Sequence, residues 1–255
     1  NSLPPTFGSE KISVEAGFFD STFVKHSDKY SAVVHSHVLE HIYEPFEFLK
    51  DCWSVIEDHG YLIFSIPNVD YSLKEKYSNF LMFEHTYLAS EEHISYMCRK
   101  AGFTFLSRKY FKDHSTFFCF QKNLGAEETD IFIPNLYERN KKLYLDYIAF
   151  LNNRVMEANL ALASELDKDK CFVFGAHIFS QVLFASGLNE ERVSAILDND
   201  SSKIGKRLYG WNLMVESPEI LRYIDNPLVV LNAGAYNAEL KKQILGSINS
   251  KARFI

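Results

Sequence analysis

The chain has 255 residues, 47% of them hydrophobic, and a formal net charge of −6. That length exceeds the roughly 100–200 residues of one ordinary domain, so two modules joined by a linker are expected, each with enough apolar material for a core. Basic and acidic residues are interspersed, and nothing forms the positive face that a nucleic-acid backbone requires; nucleic acid is set aside as a partner and small-molecule chemistry becomes the working class.

The chain opens on Asn1, and the first periodic element follows almost at once, as though a domain were entered midway. Lys11 to Ala16 alternates apolar and polar residues and reads as a short strand closing at Gly17; Tyr30 to His35 (YSAVVH) reads as a second. After HSHVLEHIYEP, the stretch Pro45 to Ile56 places Phe46, Phe48, Leu49, Trp53 and Ile56 at helical spacing, which suits a helix lying on a sheet, with His59-Gly60 as its stop. Tyr61 to Ile66 (YLIFSI) is short and continuously apolar, as expected of a strand covered on both faces, and Pro67-Asn68 ends it. Ser90 to Ala101 has an N-cap serine and an acidic first turn before Gly102, which predicts a helix. Thr104 to Phe111 and Ser115 to Lys122 form a hairpin around Lys112-Asp113-His114.

The order strand, strand, helix, strand, helix, hairpin is one half of a doubly wound sheet with an antiparallel edge. From Pro134 a long helical stretch runs to about Leu166. At Lys170 the pattern restarts: strand CFVFGA, a helix to Ser186, strand VSAILDND, a polar loop, helix PEILRYI, strand PLVVLNA and a helix from Asn237. That alternation predicts a small parallel Rossmann-like sheet. The expected division is 1–125, 126–168 and 169–255, with an α/β fold in both outer parts. No fixed-period repeat or low-complexity tract occurs. Cys52, Cys98, Cys119 and Cys171 are too far apart for a zinc knuckle or a thiol redox pair and read as reduced, buried residues. No run of about 20 apolar residues and no leader-like segment is present, so no membrane span is expected and a cytoplasmic setting is.

Two segments, HSHVLEHIYEP (His35 to Pro45) and EDHGYLIFSIPN (Glu57 to Asn68), resemble the middle and late motifs of class I S-adenosylmethionine-dependent methyltransferases. The resemblance implies that Ser36, His37 and His41 lie under the methionine part of the cofactor, at the carboxyl edge of a parallel sheet where such folds bind ligands. VEAGFF (Val14 to Phe19) resembles the segment near the adenine ring, which makes Gly17 and Phe18 candidates there. MFEHTYLASEEH (Met82 to His93) resembles the glutamate–histidine segment of sugar C-methyltransferases. That likeness implies His85 as a base, Glu84 as its orienting carboxylate and Tyr87 as a donor to a developing enolate oxygen. The chain departs from that pattern at Met82, where the family carries a tyrosine. Asn68 is expected to face the substrate.

The second half strengthens the likeness. FGAHIFSQVLFASG, AILDNDSSKIGKRLYG and VVLNAGAYNAELKKQI resemble, in order, three landmarks of the Rossmann-like domain that follows the methyltransferase domain in sugar C-methyltransferases, with Asn237 as a further substrate contact and Asp198 and Lys203 as polar contacts. Gly175 with Asp198 also suggests a dinucleotide fingerprint, but His177 and Ser180 stand where the second and third glycines belong. The glycine-rich front of the methyltransferase fold and the family's zinc module have no counterpart here, so an N-terminally truncated enzyme is expected. The implied function is S-adenosylmethionine-dependent methylation of a sugar or nucleotide-sugar. The alternatives are a catalytically inactive binding or scaffold fragment and a nucleotide-binding C-terminal module. No metal is assigned: His37 and His41 have the spacing of a helical ligand pair with Glu40 beside them, but a second histidine motif is lacking.

Overall fold

The computed structural model describes residues 14, 16–78, 80–111, 115–124, 132 and 135–255. Most of the first expected strand (11–16), the hairpin turn 112–114 and Pro134 lie outside them; within the first strand, Val14 and Ala16 carry no strand.

The first sheet is built from β1 (Tyr30–Ser36), β2 (Ile56–Pro67), β3 (Phe103–Phe111) and β4 (Ser115–Lys122), in the order β1-β2-β4-β3. β1 and β2 run parallel, joined through α2 (Pro45–Val55); β4 pairs antiparallel with both β2 and β3. The expected half of a doubly wound sheet with an antiparallel edge is therefore present. α2 and α4 (Glu91–Lys100) cover one face, with Leu49, Cys52, Ile94 and Cys98 packed on Leu62, Phe64, Phe118 and Phe120. The strand of β2 was expected to be covered on both faces, but Tyr61 is exposed and Ile63 half-buried, because both helices lie on the face of Leu62 and Phe64.

His59-Gly60 does not stop α2. The chain passes from Val55 directly into β2, and the pairing register jumps between Tyr30↔Ile56 and Ala32↔Tyr61, so His59, at φ 65°, and Gly60 form an irregularity inside the strand. A Cβ on Gly60 would lie 2.8 Å from the Ser31 carbonyl oxygen, so close pairing there requires glycine. Two short helices carried too little periodicity to be read from sequence. α1 (Ser21–His26) is capped by the Asp20 carboxylate, which accepts from the Thr22 and Phe23 amides, and α3 (Val69–Lys74) by Asn68, which accepts from the Tyr71 amide.

α5 (Tyr137–Ser164) then leads to the second sheet: β5 (Cys171–Phe174), β6 (Ala195–Leu197), β7 (Val215–Glu216), β8 (Leu228–Leu231) and β9 (Arg253–Phe254), all parallel, in the order β7-β6-β5-β8-β9. α6 (Ile178–Ala185) and α7 (Asn237–Gln243) belong to the crossovers. Strand alternation divides the core. Cys171 and Val173 face the layer that holds Tyr147, Leu151 and Val155 of α5, and Phe172 and Phe174 face Leu240 and Ile244. Two differences from the sequence reading concern short pieces. PEILRYI is a 3-10 turn at Pro218–Tyr223, started by proline and the Ser217 cap, and β7 and β9 are two-residue edge strands too short to show a period.

The two sheets meet through α5. Val69, Leu73 and Phe80 join the α5 layer, and the buried Tyr147 hydroxyl donates to Ser78 Oγ at 3.0 Å. This contact holds the 80–88 loop beside the first sheet.

Candidate functional site

The site begins where β1 ends. Ser36 shares a 2.7 Å hydroxyl contact with Ser65 of β2, and His37 turns the chain at φ 52°, its amide donating to the Ser65 carbonyl. A single 3-10 turn, Leu39–His41, follows. It places Glu40 inward, 5% exposed, with Oε1 2.9 Å from His37 Nδ1 and Oε2 sealed from solvent without a hydrogen-bond partner. Burial alone would raise the Glu40 pKa, but the His37 hydrogen bond and the nearby His37 and His41 rings outweigh it and hold the carboxyl below its usual range.

Residues 84–87 are laced onto this turn. The Thr86 amide donates to the Glu40 carbonyl at 2.9 Å, and its hydroxyl reaches the Glu40 and Ile42 carbonyls. Tyr87 Oη donates to the Leu39 carbonyl at 2.8 Å, and His41 Nδ1 lies 3.0 Å from the Glu84 carbonyl oxygen. His85 is fixed by its Nδ1, 2.8 Å from the Phe80 carbonyl oxygen, and its ring centre lies 4.9 Å from that of His41. A carbonyl can only accept, so Nδ1 of both rings carries the hydrogen, and in the neutral ring the lone pair is on Nε2.

Between the two segments lies a small cavity lined by Glu40, Ile66, Pro67, Val69, His85, Tyr87, Leu88, Ala89 and Ile94, with room for about one water molecule. Three separate stretches thus share one wall: 35–41 through Glu40, 67–68 through Pro67, and 84–87 through His85 and Tyr87. A wider, mostly apolar cleft adjoins the same loop, lined by Met82 and Phe83 together with Ala176, His177, Ile178, Gln181 and Tyr209 of the second sheet.

Other expected residues are placed differently. The Glu84 carboxylate is exposed and its backbone carbonyl is what touches a histidine, so the group that orients His85 is Phe80, not Glu84. The Tyr87 hydroxyl hydrogen is already spent on Leu39, and burial pushes the phenol pKa up, so the structure does not leave it free to serve an enolate. Asn68 caps α3 beside the cavity wall and fixes Pro67 and Val69 rather than lining the space itself. Gly17 and Phe18 are exposed in the loop before α1, while Phe19 is the aromatic that packs, on Phe48. Asn237 lies outside the cavity, its Oδ1 accepting from the Ala233 amide at 2.8 Å. Asp198 and Lys203 pair with each other at 3.1 Å.

Glu40 is the residue to which sequence reasoning gave no role. Its signal was a carboxylate inside the apolar turn VLEHI, a position that only a built environment can hold. With His41 and His85 it forms the one group of three metal-capable side chains found among the described residues, one donor atom from each lying within 4.8 Å of the others.

Residues 6–108 match the family model of a methyltransferase domain. The α/β fold and this match define the class to which that stretch is similar, that of methyltransferase domains. No curated protein matches the chain. Among solved structures, similarity is found to an O-methyltransferase family protein from Burkholderia thailandensis, at 17% identity over 44% of this chain and 36% of that one, TM-score 0.35. A SAM-dependent methyltransferase from Thermotoga maritima gives 16% identity over 38% and 57%, TM-score 0.31. The N-methyltransferase NodS from Bradyrhizobium japonicum, solved with S-adenosyl-L-homocysteine, gives 13% identity over 39% and 50%, TM-score 0.29. The chain spans about a third of the Burkholderia protein and half of NodS.

Proposed function

We propose that this chain carries the methionine end and the acceptor wall of an S-adenosylmethionine-dependent methyltransferase site acting on a small molecule of the sugar or nucleotide-sugar type. The single observation that supports the reading is the cavity shared by Glu40, Pro67, His85 and Tyr87, three stretches far apart in sequence and each carrying part of the resemblance. S-adenosylmethionine, when bound, supplies a sulfonium methyl to a nucleophile in line. The residues present fit its methionine end on one structural ground: β1 ends at an exposed Ser36, where the backbone turns at His37, φ 52°.

The chain's own task is alignment and exclusion of water. The apolar residues Ile66, Val69, Leu88 and Ile94 line the cavity and leave little room for water, and the Thr86 and Tyr87 hydrogen bonds hold the 84–87 wall against the 39–42 turn. The Nε2 lone pair of His85 is the group positioned to take a proton from the acceptor. The adjoining cleft at Phe83 and Tyr209 favours an acceptor with a second, flatter portion beyond the reacting carbon or oxygen, and on that ground we read 1–125 as the transferring part, 126–168 as the connecting helix and 169–255 as a module that completes the substrate pocket. Cys52, Cys98 and Cys171 are unpaired and buried, which accords with a cytoplasmic setting.

Tritium transfer from labelled S-adenosylmethionine to a panel of nucleotide sugars tests this. Incorporation is expected with the full-length enzyme, and a loss of about 10²–10⁴-fold with His85→Gln in it. Binding of S-adenosylhomocysteine that leaves the backbone resonances of residues 35–41 and 84–87 unmoved would refute the placement.

A further inference from the structure

We propose that Glu40, His41 and His85 form a binding site for a divalent first-row transition-metal ion, with its open coordination position facing the cavity between Pro67 and Tyr87. The proposal goes beyond the methyl-transfer reading and does not depend on it.

Four observations carry it. One donor-capable atom from each of the three residues already lies within 4.8 Å of the others; around an ion with bonds of about 2.0–2.2 Å they would stand roughly 3.4 Å apart, so an ion would draw them closer together. The Glu40 Oε2 atom is sealed, in a residue 5% exposed, and has no hydrogen-bond partner. A buried carboxylate oxygen left in that condition is costly, and a cation is what relieves it.

The histidines are prepared in the way metal ligands are. Nδ1 of His41 donates to the Glu84 carbonyl and Nδ1 of His85 to the Phe80 carbonyl, which locks both rings in the tautomer whose free lone pair is on Nε2. Glu40 Oε1 is held in turn by His37, whose other nitrogen meets Ser115 Oγ at 2.9 Å. Every first-sphere group therefore has an outer partner that sets its orientation, the arrangement by which protein metal sites fix geometry and raise ligand basicity. Finally, the adjoining space admits about one water, the size of a fourth ligand.

Two imidazoles and one carboxylate select a borderline ion such as zinc, cobalt or iron over magnesium or calcium, which prefer oxygen alone. Three protein ligands leave a position for an exchangeable oxygen, the pattern of a reactive site rather than a closed structural one. A water molecule bound there would be held and acidified by the ion.

Titration of the chelator-treated 255-residue chain with Co²⁺, read by visible d–d absorbance and without any methyl donor, decides the matter. Saturation at one equivalent is expected. His41→Gln and His85→Gln should each abolish that saturation, while His37→Ala should weaken it by about 10–100-fold through loss of the outer partner. His93→Gln, on α4 and outside the cluster, should leave it unchanged, and far-UV circular dichroism checks that each variant is folded. His85 sits in a loop, so its variant remains informative even if a change at buried Glu40 unfolds the chain. Absence of a saturable Co²⁺ signal in the parent, or saturation that persists in folded His41→Gln and His85→Gln, overturns the proposal. Because no methyl donor is present, this outcome is separate from failure of the transfer assay.

Discussion

His35 is a built-in acid sensor of stability. It sits near the end of β1, its ring stacked on Phe64 at 5.0 Å and edge-on to Phe48 at 5.4 Å, and both ring nitrogens are sealed without a partner. Burial lowers its pKa from 6.5 to about 4, against a weaker opposing pull from the Glu40 charge. In the unfolded chain the ring protonates near the ordinary value; in the folded chain it resists until far lower pH. The unfolded state therefore binds more protons between those two values, and stability is full above about pH 6.5 and falls as the pH drops toward 4. A fall of that size corresponds to roughly 3 kcal/mol in total, of which about 2.5 kcal/mol is lost by pH 4.5. His35→Phe keeps the ring stack and removes the titration. Urea unfolding of both proteins at several pH values should give curves that coincide within about 1 kcal/mol near pH 7.5 and separate by about 2–3 kcal/mol near pH 4.5, with the variant the more stable. Carboxylates that titrate in the same range act on both proteins and cancel in the difference. Parallel pH profiles would refute the reasoning, since they would mean that the ring is hydrated or partnered in the folded state.

Gly102→Ala should cost about 2 kcal/mol or more, measured by thermal unfolding. Gly102 has φ +94° and its added Cβ would meet Trp53 Nε1 at 2.6 Å, displacing the indole on which the buried Lys122 ammonium rests at 3.9 Å. In the second sheet, fluorescence titration with NADH should give no saturable change. The Asp198 carboxylate that a dinucleotide's ribose would need already accepts from the Ala176 amide at 2.7 Å and pairs with Lys203, and Ser180 fills the place of the third glycine with its hydroxyl on the Gly175 carbonyl. Saturation in the micromolar range would show that this turn can open to a pyrophosphate.

The elements with a strong period were legible in the sequence because each was settled locally. Alternating or continuous apolar runs specified β1, β2, β5 and β8, proline and glycine marked the ends of β2 and α4, and the amphipathic stretches of α2 and α5 needed no partner to be recognised. The resemblance carried by HSHVLEH and FEHTY likewise named the stretches that line the cavity. Short pieces escaped: α1 and α3 are one and a half turns long and depend on the Asp20 and Asn68 caps, and β7 and β9 exist only because β6 and β8 offer them an edge.

The roles inside the site were decided by tertiary structure alone. Which atom orients His85 is a matter of where the Phe80 carbonyl falls in a loop held by Tyr147 and Ser78, and no spacing records it. Whether the Tyr87 hydroxyl is free depends on Leu39, 48 residues away. Most of all, Glu40 is adjacent to His41 in sequence yet becomes a candidate ligand only when the fold brings His85 over it and seals one carboxylate oxygen from water. The sequence by itself determined which segments are strands and helices, because hydrophobic period and turn chemistry act over a few residues. The chemistry of the cavity depends on desolvation and on bond directions across long separations, and those quantities come into being only with the packed chain.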